Sequence, residues 1–135
     1  MRKTFLRIGS LMAFAAVALG AFGAHSLKAL ISPERLEIYQ TGVEYHFYHA
    51  LAILIVALLI HYRKTSYISY AGWLFTAGIA LFSGSLYLLA IRDWAGFEAS
   101  WLGPITPIGG TLFIIGWLMV FLSTFQKRKS KSPDE

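Results

Sequence analysis

Eight polar residues have side chains that could do chemistry, and six of them fall within ten consecutive positions. They are His25, Gln40, Glu44, Tyr45, His46, Tyr48, His49 and Thr106. His46 and His49 are three residues apart, so on a helix both could contribute to a metal or haem site, completed by Glu44 or His25. Alternatively, Glu44 could carry a proton or a cation, with Tyr48, His49 and Ser83 extending a relay.

A second interpretation of the same residues needs no chemistry. The polar stretch opens onto an uncharged run from Tyr45 to Tyr62, so it would lie where a membrane helix meets the lipid headgroups. There the histidines can cap loops or bond to tyrosines. Glu44 can be solvated or can pair with Arg35 or Arg92. The sequence leaves both interpretations open, because it does not show whether the cluster faces the interior of a bundle or the lipid.

The composition indicates a membrane protein. Of 135 residues, 56% are hydrophobic and 14% are charged, against about 25% charged in soluble domains. The absence of cysteine excludes disulfides, thiolate ligands and thiol catalysis. The net charge of +5 comes from basic residues placed between apolar runs and not along one stripe, so we expect no nucleic-acid partner and take the lipid bilayer as the surroundings.

Four apolar runs predict an all-α integral membrane bundle of four transmembrane helices. The expected spans are about 5–24, 43–62, 68–91 and 107–125, within a single domain covering 1–125, and a basic tail at 126–135 that we expect to be disordered. A cleaved signal peptide is the alternative for the first run. We favour a retained helix, because the run carries small residues along one helical stripe. Ser32-Pro33-Glu34 is typical of a helix start, with Ser32 as the N-cap.

Small residues at helical spacing predict where the helices pack closely against one another. The predicted packing residues are Gly20, Gly23, Gly72, Ser83, Gly84, Gly109 and Gly110. Thr106-Pro107 predicts the start of the fourth helix, with Thr106 as N-cap and Pro107 at the first helical position. Ser83 and Ser85 could be nucleophiles, but no base stands at a fixed spacing from them, so packing is the simpler interpretation.

The distribution of Lys and Arg predicts the orientation. Nine of the twelve lie in the N-terminal segment, the second connection and the tail, and three lie in the other two connections. The positive-inside rule therefore places both termini in the cytoplasm of a cell whose inner membrane holds the chain.

Four motifs resemble one family of small membrane proteins. They are Gly20-Ala21-Phe22-Gly23-Ala24-His25, Tyr39-Gln40-Thr41-Gly42 with Tyr45-His46-Phe47-Tyr48-His49-Ala50, Leu81-Phe82-Ser83-Gly84-Ser85-Leu86-Tyr87, and Ile105-Thr106-Pro107-Ile108-Gly109-Gly110. Together they are similar to the YgdD/YwdK-like group of bacterial multi-pass inner-membrane proteins. The resemblance implies the same architecture and a retained first span, and it supplies no catalytic residues.

We therefore expect a structural, assembly or accessory membrane component, acting by helix contact within a homo-oligomer or a larger membrane complex. We expect no enzymatic activity, no metal and no cofactor. The alternative function is conduction of a small solute or of protons through the Gln40/Glu44/His49 cluster.

Overall fold

The computed structural model describes residues 1–127, and over that range it contains helices and their connections but no strand. The helices are α1 (Arg2–His25), α2 (Pro33–Tyr62), α3 (Ser66–Gly78), α4 (Gly84–Ala95) and α5 (Ile105–Ser123), with short 3-10 turns at Leu27–Ala29 and Ser100–Leu102. A π-helical segment, Ile79–Ser83, joins α3 to α4 in one long span. Within the described residues, four helical segments are thus long and apolar enough to cross a membrane, which confirms the predicted four-span all-α bundle. Most of the predicted tail, from position 128 onward, lies outside the described residues.

The four spans alternate in direction, so their connections lie at two opposite ends of the bundle. At one end, Arg2 Nη1 lies 3.1 Å from His61 Nδ1, and Arg63 Nη2 donates to the Thr124 carbonyl at 3.0 Å. We call this the Arg63 end. The opposite end, where α1 stops and α2 begins, is the His25 end. The N-terminus and the last turn of α5 share the Arg63 end, while the side of the membrane that it faces remains a prediction.

Local residues begin and end the helices. The Ser32 side chain accepts a hydrogen bond from the Arg35 N–H at 3.3 Å, and Pro33 is the first residue of α2, which confirms the predicted helix start. Thr65 caps α3 in the same way. Gly96 ends α4 with φ of 74°, a left-handed conformation that suits glycine because it has no Cβ.

Helix α2 is the centre of the bundle, since it contacts α1, the α3–α4 span and α5. The larger buried core lies toward the Arg63 end and contains Phe5, Ala52, Ile53, Val56, Ala57, Ile60, Ile68, Ala71, Phe75, Ile79 and Phe113. A smaller core at the His25 end contains Leu27, Tyr39 and Ala90. In lipid, such interfaces are stabilised mainly by close van der Waals packing, because the lipid tails are as apolar as the core.

Candidate functional site

The eight predicted polar residues do not form one cluster. Five have exposed side chains: His25, Gln40, Glu44, Tyr45 and Tyr48. His46 and His49 are buried, and Thr106 is half-buried. The separation follows from helix geometry, because neighbouring positions along α2 point in directions about 100° apart. One face of α2 therefore carries Gln40, Glu44 and Tyr48 toward the surface while its other faces carry the histidines inward.

His46 lies between α2 and α4. Its Nδ1 is 2.8 Å from the Tyr87 hydroxyl, and its ring is only 4% exposed. Within the described residues its Nε2 has no hydrogen-bond partner. The Tyr87 ring in turn packs against Tyr39, whose hydroxyl donates to the Leu19 carbonyl of α1 at 2.5 Å. His46 is thus part of an aromatic contact that links α1, α2 and α4.

His49 lies on another side of α2, against α5. Its Nδ1 is 2.8 Å from the Tyr45 carbonyl, and the Trp117 indole N–H donates to its Nε2 at 3.1 Å. A carbonyl can only accept, so Nδ1 must carry the proton, and Nε2 must be the unprotonated acceptor. The His49 ring also stacks on Phe113, with ring centroids 3.5 Å apart and planes at 8°. Both ring nitrogens are therefore occupied by the protein itself.

The metal and haem hypothesis requires His46 and His49 to point toward one shared site. The rings of His46 and His49 contact different helices, so the two do not converge on a shared point. The described part of the chain contains no group of three or more His, Cys, Asp or Glu residues placed to hold a metal ion. A metal at His49 Nε2 would also have to displace the Trp117 hydrogen bond.

Glu44 does not face α5. Instead it lines a groove between α1 and α2 together with Gly20 and Val43. Gln40 and Tyr48 lie along the same groove, on either side of Glu44. The proposed conduction cluster is therefore divided between two faces of α2. Glu44 and Gln40 lie on the face toward the groove, and His49 lies on the face toward α5.

Thr106 is not the N-cap of α5, and this prediction was wrong. The helix begins at Ile105 after Pro104, which puts Pro107 third and not first. The Thr106 hydroxyl is engaged elsewhere, because it lies 2.6 Å from the Ser85 hydroxyl of α4. That bond ties α5 to α4 near the His25 end, where Arg35 also pairs with Asp93 at 2.8 Å.

The predicted packing residues differ in what surrounds them. A Cβ at Gly23 would come within 2.5 Å of the Tyr39 ring, and one at Gly72 within 2.6 Å of the Phe5 ring. At Gly109 it would meet the backbone of Phe82. Gly20 and Gly110 are looser, with nearest atoms at 3.2 Å on Val43 and 3.6 Å on Phe82.

Gly84 and Ser83, although adjacent in the chain, have different surroundings. A Cβ at Gly84 would meet nothing within 4 Å, so Gly84 lines no helix contact and its predicted packing role is wrong. Ser83, one residue earlier, is fully buried at the end of the π-helical segment, and its hydroxyl has no partner among the described residues. The stripe drawn through both residues assumes regular α-helical spacing, which the π-helical segment interrupts.

Sequence reasoning missed a reciprocal contact between α3 and α5. Phe113 packs over Gly78, where an added Cβ would lie 2.5 Å from its ring, and Phe75 packs over Gly116, at 2.6 Å. Each helix thus offers a Phe and, three residues later, a Gly to the antiparallel partner. The repeated Phe-x-x-Gly spacing in the two spans is the signal that could have revealed it. Trp117, the partner of His49, carried no such signal.

Comparisons with known proteins find a matching family model and several related proteins. A family model described as "Protein of unknown function (DUF423)" matches residues 19–110. The UPF0382 membrane protein YwdK of Bacillus subtilis is 46% identical over 122 residues, covering 90% of this chain and 95% of the relative. A UPF0382 membrane protein of Haemophilus influenzae is 44% identical over 137 residues, covering 98% of this chain and 99% of the relative. No solved structure matches the chain.

Proposed function

Since the chain belongs to the DUF423 family, which is described as of unknown function and includes relatives named as membrane proteins, we propose that it is a structural, assembly or accessory component of the membrane. It acts through the contacts of its helices, with copies of itself or within a larger membrane complex, and it catalyses no reaction.

The observation that carries this proposal is the separation of the polar side chains on α2. His49 has both nitrogens occupied, by Tyr45 and Trp117, and Glu44 faces outward into the α1/α2 groove. An enzyme or a proton path needs such groups to converge on a substrate or on a continuous route. A bundle that uses its buried polar groups to join helices, and leaves wide apolar faces outside, is suited to binding within the membrane.

Proton or small-solute conduction is the alternative, and a flux assay separates the two functions. The purified wild-type protein in liposomes, with a pH-sensitive dye inside, is expected to give no more proton flux than empty liposomes. A photo-crosslinking residue at Ile114, 70% exposed on α5, is expected to give discrete protein adducts in cells. A flux present in wild type and absent from a folded Glu44→Gln variant would overturn the accessory role.

We also propose that the Arg63 end faces the cytoplasm of a bacterial cell. The basic residues Arg2, Lys3, Arg7, Arg63 and Lys64 all belong to that end, which the positive-inside rule assigns to the cytoplasm.

The chain has no cysteine, so single cysteines report on this orientation directly. In intact cells, a membrane-impermeant maleimide is expected to label Ser26→Cys and Glu98→Cys but not Lys3→Cys. All three should be labelled after the membrane is made permeable. Labelling of Lys3→Cys in intact cells would reverse the proposed orientation.

A further inference from the structure

A groove runs along the outside of the bundle between α1 and α2. Its two adjoining parts, of about 440 Å³ and about 380 Å³, share Gly20, Val43 and Glu44 as lining residues. Gly20 has no side chain and thereby gives the groove depth at the point where the parts meet. The groove opens toward the surroundings of the bundle, which in a membrane are lipids.

The two parts of the groove differ in polarity. The part nearer the middle of the bundle is lined mostly by apolar side chains, including Ala16, Val17 and Phe47. The part nearer the His25 end adds the Gln40 amide beside Glu44. Neither part has a Lys or Arg among its described lining residues. Glu44 lies where the two parts meet, so the groove is apolar toward the middle of the bundle and negative from Glu44 toward the His25 end.

Among residues 1–127, the structure places no partner at the Glu44 carboxylate. Its side chain is exposed, and no hydrogen bond or ion pair to it occurs within residues 1–127. It precedes Arg63 by 19 residues, which on a helix is about 28 Å, while the hydrocarbon core is about 30 Å thick. With Arg63 at one boundary, Glu44 lies at the other. A cation stabilises a carboxylate at the edge of the hydrocarbon, and residues 1–127 place none beside Glu44.

We propose that this groove binds a phospholipid whose headgroup carries a primary ammonium, as in phosphatidylethanolamine. The ammonium group bonds to the Glu44 carboxylate and the Gln40 amide oxygen, and one acyl chain lies along Val17 and Phe47. Charge complementarity selects this class of lipid. An anionic headgroup would be repelled by Glu44, and a choline headgroup has no N–H to donate.

The position of the groove across the membrane agrees with this occupant. Side chains on a helix lean toward its N-terminus, so Glu44 leans toward the His25 end, where the headgroups lie. The apolar part continues from Glu44 toward the middle of the membrane, as an acyl chain does. This inference goes beyond the accessory role, because the lipid site would exist whether or not the bundle binds another protein.

Native mass spectrometry of the full-length protein tests the proposal. The probes are phosphatidylethanolamine, phosphatidylcholine and phosphatidylglycerol with identical acyl chains. Wild type is expected to retain the ethanolamine lipid about tenfold more strongly than the other two, the size expected for one charge-assisted hydrogen bond. Glu44→Gln should abolish this preference. Glu37→Gln is the matched control and should keep it, because Glu37 is also exposed on α2 but does not line the groove.

A second variant tests the apolar half of the groove. Val17 is 61% exposed, so Val17→Trp should fill the part of the groove nearer the middle of the bundle without disturbing the core. It should therefore weaken the binding of all three lipids. Equal retention of the three headgroups by wild type, or an unchanged preference in Glu44→Gln, would overturn the proposal. A lipid-free dimer that Val17→Trp dissociates would overturn it too, by making a second copy of the chain the occupant.

Discussion

The Gly109→Ala variant is expected to destabilise the folded bundle strongly. A Cβ at position 109 would lie 2.7 Å from the Cα of Phe82, in the π-helical segment that joins α3 to α4. Because the clash is with backbone, no side-chain rotation relieves it, and α5 would have to move away from this segment. Overpacking a core costs about 1–3 kcal/mol and more where the backbone cannot adjust. We expect a loss of about 3 kcal/mol or more.

Thermal unfolding in mild detergent, followed by size-exclusion chromatography of the heated protein, measures this loss. Gly84→Ala is the matched control, since it makes the same change in the same bundle at a position where a Cβ meets nothing within 4 Å. It should be neutral or slightly stabilising, because alanine favours a helix over glycine by about 1 kcal/mol. If Gly109→Ala were as stable as Gly84→Ala, the close approach of α5 to Phe82 would be wrong.

Gly109 and Gly84 show that the sequence predicts the spans but not which glycines pack against a neighbouring helix. The apolar runs predict four spans because the membrane requires about 20 apolar residues in each. Which glycine faces a neighbouring helix depends on how each helix is rotated about its axis, and small residues alone indicate that poorly. The π-helical segment shifts the rotation within one span, so a Cβ at Gly78 would meet the Phe113 ring whereas one at Gly84 would meet nothing within 4 Å.

Local features of the chain were more predictable than distant ones. The Ser32 cap was predicted correctly because it joins residues three apart. Thr106 has an equally good local pattern for an N-cap, but its hydroxyl bonds to Ser85 across the interface, and a long-range contact overrides a local preference. The polar cluster on α2 is a third case. Its residue types were recognised, but their division between the groove, α4 and α5 follows from packing that no local pattern encodes.

His49 illustrates this most fully, because its partner Trp117 lies 68 residues away. Replacing His49 with alanine is expected to cost about 3 kcal/mol. The change would remove a buried ring stacked on Phe113 and would leave a cavity. It would also deprive the Trp117 N–H of its acceptor. His25→Ala is the control, and it should change stability little because His25 is exposed at the end of α1.

A double-mutant cycle separates the hydrogen bond from the packing. His49→Phe keeps a flat ring against Phe113 but cannot accept from Trp117, and Trp117→Phe removes the donor. We expect a coupling energy of about 1 kcal/mol between the two positions, within the range measured for hydrogen bonds between membrane helices.

Nitrogen-15 NMR of histidine-labelled protein gives an independent measurement of the same site. The geometry requires the proton on His49 Nδ1, with Nε2 accepting from Trp117, so the Nδ1–H tautomer should be observed. The Nε2 resonance should shift in Trp117→Phe, because its donor is then gone. A proton on Nε2 would mean that Trp117 does not donate to it and that the hydrogen bond described here is wrong. A coupling energy of zero with Nε2 unprotonated would leave that nitrogen free to accept from, or bind, another partner, as the metal and proton-relay hypotheses require.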